Sequence, residues 1–180
     1  MSHRKRRTHA LLSGLVAATL LSAGATQALA GSRPVFGWVE EGLILPGKVA
    51  VKFKLDTGAL TSSMHAEDIE RFEKNGEEWV RFDIDLKDID TEKLVKTRIE
   101  RKLERELTVR GAAGKEDRPV VLMKVCLGTR IYEEEFSLND RDDMLYPVLL
   151  GRRTLEKLGP VDAARTFTTE PNCSVSNADN

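Results

Sequence analysis

One short stretch of the sequence carries residue types that could do hydrolytic chemistry. In KLDTGALTSSMHA, at positions 54–66, an alternating apolar run ends at Asp56, which is followed by Thr57, Gly58 and Ala59. Two carboxylates a few Å apart can share one proton, because two like charges that close cannot both ionise; one then acts as a base on water and the other as an acid. Asp56 has no obvious charge partner in this stretch. The stretch therefore predicts either half of a carboxylate pair or a strand-ending turn in which Asp56 is a local cap.

The residues around Asp56 suit a catalytic turn. Gly58 lets the backbone approach closely, Thr57 can hydrogen-bond to support the carboxylate, and the small Ala59 leaves room for a substrate. The preceding run, KVAVKFKLD, alternates in hydrophobicity and predicts a strand whose apolar face is formed by Val49, Val51, Phe53 and Leu55. That strand would deliver Asp56 at its end.

Most of the remaining chain predicts short strands. Asn75-Gly76 and Gly128-Thr129 each lie between two apolar runs and predict hairpin turns. The segment YPVLLGRRTLEKLG predicts a buried apolar triplet and then a short amphipathic helix capped by Gly159. Residues 93–109 fit a helix and a strand equally well, and residues 110–119 predict a turn or a mobile loop. Many short strands with one late helix indicate a small β-barrel or sandwich.

A second motif accompanies the first. DTGALTS and YPVLLGRRTL together resemble the two halves of the retropepsin-type aspartic peptidase signature: Asp-Thr/Ser-Gly-Ala with a hydroxyl residue six positions on, here Ser62, and an apolar triplet followed by Gly151-Arg152 and a helix. With GWVE, WVRFDI, RPVV and VDAARTF, the chain from Val35 to Phe167 is similar to the bacterial retropepsin-like family long labelled ATP-dependent zinc proteases. The resemblance implies a mainly β, closed acid-protease barrel with one short C-terminal helix, in which Gly151 and Arg152 pack beside the catalytic turn.

The same resemblance implies a function. It predicts an aspartic endopeptidase that hydrolyses peptide or isopeptide bonds in a peptide or protein substrate, with Asp56 as the catalytic residue. One chain supplies one Asp56, so the carboxylate pair requires a two-fold symmetric homodimer. We expect the flap that closes over the bound peptide between Gly111 and Gly114, where a plain solvent loop is equally compatible with the sequence. His65 either binds the substrate, tunes Asp56 or is a hydrogen-bonded structural residue. The alternative function is a non-catalytic peptide-binding module of the cell envelope with the same fold.

The family label also implies zinc and ATP, which the residues do not support. His65 is the single histidine after residue 30, and the sequence has no His-Glu-x-x-His pair and no Cys-x-x-Cys pair. It also lacks the Gly-x-x-x-x-Gly-Lys-Ser/Thr loop that holds ATP phosphates. An acidic cluster lacks the pattern of a calcium loop and predicts a solvated edge; it comprises Asp83, Asp85, Asp88 and Asp90. We expect no cofactor and no metal, with a zinc-dependent peptidase as a third hypothesis.

The two ends of the chain differ from the central region. In residues 1–30, RKRR precedes an apolar run, and Ala28-Leu29-Ala30 offers a cleavage site, which is the pattern of a secretory signal peptide. The apolar run is short and rich in small residues, so no stable membrane anchor is expected after cleavage. We predict a peptidase domain over 31–167 and a polar, disordered tail over 168–180. The protein would be exported, and periplasmic if the host is Gram-negative.

The net charge and the cysteine content limit the possible binding partners and the cellular compartment. Removal of residues 1–30 takes away four basic and no acidic residues, which moves the formal net charge from -1 to -5. A mildly acidic protein gives no reason to expect nucleic acid as a partner. Cys126 and Cys173 could pair in an oxidising compartment, or Cys126 could be a buried free thiol. Two cysteines alone leave both possibilities open.

Overall fold

The structure, a computed structural model, describes residues 33–111 and 114–174. The predicted signal peptide lies outside these residues. The elements, in chain order, are β1 (Phe36–Leu45), β2 (Val49–Leu55), β3 (Ser62–His65), β4 (Glu67–Lys74), β5 (Glu77–Lys87), β6 (Leu94–Lys102), β7 (Arg105–Gly111), β8 (Gly114–Leu127), β9 (Arg130–Asn139), β10 (Val148–Leu150), α1 (Arg152–Leu158) and β11 (Val161–Thr166). Within the described ranges no helix has both the length and the apolar character needed to cross a bilayer.

Six strands pair in a ring. Their order is β1-β2-β10-β3-β9-β8, and the ring closes because the second half of β1 also pairs with β8. Strands β7 and β11 extend the sheet on either side, β7 along β8 and β11 along the first half of β1. Over the described residues the fold is mainly β with one helix, as predicted. The ring is irregular, since β3 has four residues and β10 has three.

A second, three-stranded sheet packs on the ring. Strands β4, β5 and β6 pair in antiparallel order. The inner residues of this sheet share one apolar core with the ring, in which the largest fully buried side chains include Phe53, Met64, Phe82, Ile84, Phe136 and Leu150. One continuous core makes the two sheets parts of a single folded unit.

Local sequence signals agree with most of these elements. The β4–β5 turn is Asn75-Gly76, and both residues have positive φ, 56° and 77°, as a two-residue hairpin turn requires. Gly128 and Thr129 join β8 to β9, and α1 ends at Leu158 with Gly159 as its C-cap, whose φ is 145°. Residues 93–109, which the pattern left open, lie mostly in strands β6 and β7. The predicted loop over 110–119 was wrong for the described residues of this range, because residues 110–111 lie in β7 and residues 114–119 lie in β8, which pairs with it. Residues 112–113 lie outside the described residues.

Two acidic residues predicted to lie on a solvated edge are buried. Asp83 is 1% exposed and accepts two hydrogen bonds from the guanidinium of Arg98. Asp88 is 6% exposed and accepts hydrogen bonds from the N–H of Ala50 and from Thr91. These carboxylates are buried because each is paired with donors, which offsets the cost of removing a charge from water.

The chain after β11 is anchored where a disordered tail was predicted. The Glu40 carboxylate, which is 0% exposed, accepts hydrogen bonds from the backbone N–H groups of Gly37, Thr168 and Thr169 and from both threonine hydroxyls. The N–H of Asn172 donates to the carbonyl of Gly128. The buried acceptor on β1 thus holds residues 168–169 against the sheet, whereas residues 175–180 lie outside the described residues.

Cys126 and Cys173 form a disulfide, which settles the choice that the sequence left open. The bond joins β8 to the anchored tail across 47 residues of chain. Cross-linking a loop of this length restricts the unfolded chain.

We therefore expect Cys173→Ser to lower the free energy of unfolding by about 2–4 kcal/mol. Cys173 is the better position for this test because Cys126 is fully buried and its replacement would also disturb the core. Chemical denaturation with and without a reductant measures the effect. Reductant should destabilise the wild type to the level of the variant and leave the variant unchanged; a variant as stable as the oxidised wild type would contradict the expectation.

Candidate active site

The turn that carries Asp56 is placed by two parallel strands. Strands β2 and β10 pair in parallel with Leu55 opposite Leu150, and the N–H of Asp56 donates to the carbonyl of Leu150 at 2.9 Å. The chain then turns, and the N–H of Ala59 donates to the carbonyl of Asp56 at 3.2 Å. Strand β10 also pairs with β3 on its other side, so both strands that flank the turn are joined through it. The backbone that carries the Asp56 carboxylate is therefore held in place by paired strands.

Gly151 and Arg152 lie against the turn. The N–H of Arg152 donates to the carbonyl of Ala59, and its guanidinium Nη1 donates to the carbonyls of Thr57 and Gly58, both at 3.0 Å. Gly151 is packed so closely on Thr61 that a Cβ atom built on it would lie 2.5 Å from the Thr61 carbonyl carbon and oxygen. The two sequence motifs are therefore in direct contact, and the glycine is required by a close approach of two backbones.

A cluster of buried hydroxyls lies beneath the turn. Ser62 Oγ accepts a hydrogen bond from the N–H of Gly151 at 3.1 Å and shares one with Thr154 Oγ1 of α1 at 2.8 Å. The hydroxyl of Ser137 on β9 donates to the carbonyl of Ser62. Ser62, Ser137 and Thr154 are all at most 3% exposed. Ser62 thus supports the turn from below and joins β3 to the start of the helix.

We expect Ser62→Ala to lower the free energy of unfolding by about 1–3 kcal/mol, because it leaves the buried N–H of Gly151 without an acceptor. A double-mutant cycle with Thr154→Val measures how much of this cost belongs to the hydroxyl pair. The two substitutions should be non-additive by more than 0.5 kcal/mol on the usual scale of contacting residues. Additive costs would show that the two hydroxyls do not act together.

Asp56 has a charge partner that was missed in the sequence. Its Oδ1 accepts a hydrogen bond from the N–H of Gly58 at 2.9 Å, and its Oδ2 lies 3.0 Å from Nζ of Lys54. The expectation of a carboxylate without a partner in its own chain is therefore wrong. Partial burial raises the pKa of the Asp56 carboxyl, but the hydrogen bonds from Lys54 and Gly58 together with the charge of Lys54 outweigh it, so the pKa lies below its ordinary value.

The turn remains open to solvent. The side chain of Asp56 is 24% exposed, Thr57 and Gly58 are exposed, and the apolar Leu60 is 49% exposed. In the part of the chain that the structure describes, the Thr57 hydroxyl has no hydrogen-bond partner, and its carbonyl oxygen makes the contact to Arg152 instead. A water molecule or a second molecule can thus reach the carboxylate.

Gly111 and Gly114 lie where the flap was predicted. They face each other as the last paired residues of the β7–β8 hairpin, and Gly114 has a φ of 118°. The two residues between them lie outside the described ranges. The closing of this hairpin over a peptide stays a prediction.

His65 is placed away from the turn, in the interior. It is 1% exposed, and its Nδ1 accepts a hydrogen bond from the N–H of Arg141 at 3.0 Å. Its Nε2 lies 3.4 Å from a carboxylate oxygen of Glu67 and 3.6 Å from one of Asp142. These contacts favour the interpretation of His65 as a structural residue over a role in substrate binding.

Three residues at His65 are candidate ligands for a zinc ion. Within residues 33–111 and 114–174, ligand atoms of His65, Glu67 and Asp142 lie within 4.8 Å of one another. A histidine that binds a metal through Nε2 carries its proton on Nδ1 and donates it to an acceptor. Here Nδ1 faces an N–H donor, so the proton must be on Nε2, which leaves no lone pair for a metal. The cluster does not fit a zinc ion.

Of the two site residues that the sequence analysis missed, Lys54 could have been found from the sequence and Thr154 could not. Lys54 and Asp56 are two apart at the end of a strand and therefore point to the same side of the sheet. Thr154 follows Gly151 by three residues, but its contact with Ser62 depends on the crossing of β3 and α1 and has no local signal.

Comparison with known sequences finds a matching family and several similar proteins. The sequence model of the RimB-like family, described as retropepsin-like aspartic endopeptidase RimB, matches residues 35–172. The chain is also similar to the "Probable alpha-L-glutamate ligase" of Shewanella pealeana, with 34% identity over 122 residues, which are 67% of this chain and 26% of that protein. The protein of the same name from Parasynechococcus marenigrum is 32% identical over 127 residues, 69% of this chain and 27% of that protein. The chain thus spans about a quarter of the length of the curated relatives it matches.

A solved structure resembles the fold closely. The crystal structure of a protein of unknown function from Legionella pneumophila superposes with a TM-score of 0.66 and 32% sequence identity. The match covers 77% of this chain and 100% of that chain.

Proposed function

Because the chain belongs to the RimB-like family of retropepsin-like aspartic endopeptidases, we propose that it is an aspartic peptidase whose active site forms when two copies bring their Asp56 carboxylates together. The pair holds one proton and a water molecule between its oxygens. The ionised carboxylate takes a proton from the water molecule while the water oxygen attacks the carbonyl carbon of the scissile bond. The protonated carboxyl group gives its proton to the carbonyl oxygen of the substrate. When the C–N bond breaks, the amine leaves with a proton returned by the pair.

The observation that carries this proposal is the partly exposed Asp56 on a tightly supported turn. Arg152 donates to the carbonyls of Thr57, Gly58 and Ala59, and Gly151 packs on Thr61 and donates to Ser62. The Asp56 side chain remains 24% exposed, and Leu60 is exposed. A rigid base holds a reacting group in position, which is the requirement for catalysis by preorganised groups. In a two-fold pair, the exposed turn of one copy would meet the same turn of the other.

The choice between peptide and isopeptide bonds belongs to the same proposal. The relatives named as glutamate ligases are much longer proteins, and their name concerns the joining of glutamate. We therefore include α- and γ-linked glutamyl peptides among the substrates to be tested, beside ordinary peptides. Hydrolysis of the γ-linked compounds alone would identify an isopeptidase.

Export is a further part of the proposal. The pattern of residues 1–30 supports it, and so does the disulfide between Cys126 and Cys173, since disulfides persist mainly in oxidising compartments. Periplasmic location follows if the host is Gram-negative. Fractionation of cells that express the full chain, with detection of the shortened mature form, tests it; a full-length protein confined to the cytosol would contradict it.

The activity is tested with a library of peptides and denatured proteins across a range of pH. The proposal predicts cleavage that a pepstatin-type inhibitor blocks and that a metal chelator leaves unchanged. Loss of activity with the chelator would favour a zinc-dependent peptidase. Binding of extended peptides without any cleavage would favour the non-catalytic module, in which the sheet adds the peptide as a strand.

A further inference from the structure

The ammonium of Lys54 forms an ion pair with the reactive carboxylate of Asp56. The two oxygens of Asp56 have different partners: Oδ1 is held by the N–H of Gly58, and Oδ2 lies 3.0 Å from Nζ of Lys54. Both side chains are partly exposed, 36% for Lys54 and 24% for Asp56. Lys54 thus forms an ion pair with the oxygen that does not accept the hydrogen bond from Gly58.

The other elements around Asp56 add little charge at the carboxylate. Strand β10 contributes the uncharged carbonyl of Leu150, and on β1 the apolar Val39 lies opposite Lys54. Helix α1 contributes Arg152, whose guanidinium is bound to the carbonyls of Thr57 and Gly58. Among these groups, Lys54 is the one whose charge acts directly on the carboxylate, where it lowers the pKa together with its hydrogen bond.

This arrangement changes what is expected when two carboxylates meet. A bare pair a few Å apart resists the loss of its last shared proton, because two adjacent negative charges repel each other. In a two-fold pair each Asp56 would bring its own Lys54, so that two positive charges flank two carboxylates. The repulsion that holds the shared proton is then largely compensated.

We propose that Lys54 is a positioning residue that sets the pH at which the Asp56 pair loses its shared proton and so confines activity to more acidic conditions. The inference rests on the proposed function, since it concerns the proton that the peptidase mechanism needs. Its sign follows from the charges. A nearby cation favours the ionised form, so the proton leaves at a lower pH than it would from a bare pair. Without Lys54 the carboxylate pair keeps its shared proton up to a higher pH. The enzyme therefore stays active up to a higher pH.

The test compares pH profiles of kcat/KM for the wild type, Lys54→Met, Lys54→Arg and Lys52→Met. The alkaline limb of Lys54→Met is expected to move upward by about one pH unit, the lower end of the effect of a close opposite charge, because both groups are partly exposed. Lys54→Arg keeps the charge and should retain the wild-type profile. Lys52→Met removes a charge from the same strand two residues earlier and should also leave the profile unchanged.

A second readout does not depend on catalysis. The Asp56 carboxyl can be followed by carbon NMR in each protein, and its titration midpoint should be higher in Lys54→Met than in the wild type. An unmoved midpoint, or a uniform loss of activity at every pH, would overturn the inference and indicate a purely structural ion pair. If Asp56→Asn kept its activity, the proposed function would fail, whereas the NMR midpoint would still decide whether Lys54 controls the charge of Asp56.

Discussion

Asp56→Asn is expected to fold like the wild-type chain and to lose peptidase activity by a factor on the order of 10²–10⁴ or more, the usual contribution of general acid–base catalysis. The amide oxygen of asparagine can still accept the hydrogen bond from the N–H of Gly58, so the turn keeps its shape. The lost ion pair with Lys54 is partly exposed, and such pairs contribute about 0–1 kcal/mol to stability. Asparagine cannot take a proton from water, so the base is removed.

The matched control for this variant is Asp90→Asn, which removes an exposed carboxylate outside the turn. It should keep wild-type activity and stability. Thermal unfolding of all three proteins and initial rates on the best library substrate measure both effects. If Asp56→Asn cleaved the substrate at the wild-type rate, Asp56 would have no role in the mechanism.

Gly151→Ala is expected to lower both stability and activity. The added Cβ would lie 2.5 Å from the carbonyl carbon and oxygen of Thr61, and these are backbone atoms that no side-chain rotation can move aside. Strand β10 and the turn must then separate. We expect a loss of about 3 kcal/mol or more in the free energy of unfolding, at the upper end of the cost of overpacking.

The activity of Gly151→Ala should fall further than its folded fraction alone explains. The substitution displaces the hydrogen bond from the N–H of Gly151 to Ser62 Oγ and the one from the N–H of Arg152 to the carbonyl of Ala59. A shift of about 1 Å in a catalytic group can cost on the order of 10²-fold in rate. Arg153→Ala, at an exposed position two residues later on α1, is the control and should be close to wild type in stability. A Gly151→Ala protein with wild-type melting temperature and activity would contradict the close approach of the two backbones.

The sequence predicts those elements of the fold that are determined by patterns of neighbouring residues. Alternation in β2 predicts the strand that ends at Asp56, and Asn75-Gly76 predicts the β4–β5 hairpin because both residues readily adopt positive φ. The helix is predicted by its apolar spacing and its terminal Gly159. The contact between the Asp56 turn and Gly151 was reached only through the family resemblance, since no local pattern joins residues so far apart.

The remaining features depend on partners distant in sequence. Glu40 and Asp88 look like ordinary surface carboxylates until the fold brings backbone donors from Thr168 and Ala50 to them. The tail after residue 167 is polar, as disordered tails are, yet its described part is held in place by the Glu40 carboxylate and by the disulfide to Cys126. Composition predicts that such a segment cannot build a core, but it does not reveal that an existing core supplies its anchors.

The claim that two copies each supply one Asp56 is tested most directly by mixing wild-type and Asp56→Asn chains. The two proteins are refolded together at constant total concentration and in varied ratio, so that subunits combine at random. If the active site needs Asp56 from both copies, activity follows the square of the wild-type fraction and falls to about one quarter at an equal mixture. A linear decline, to about one half at the same mixture, would show that one chain carries a complete site and would contradict the account.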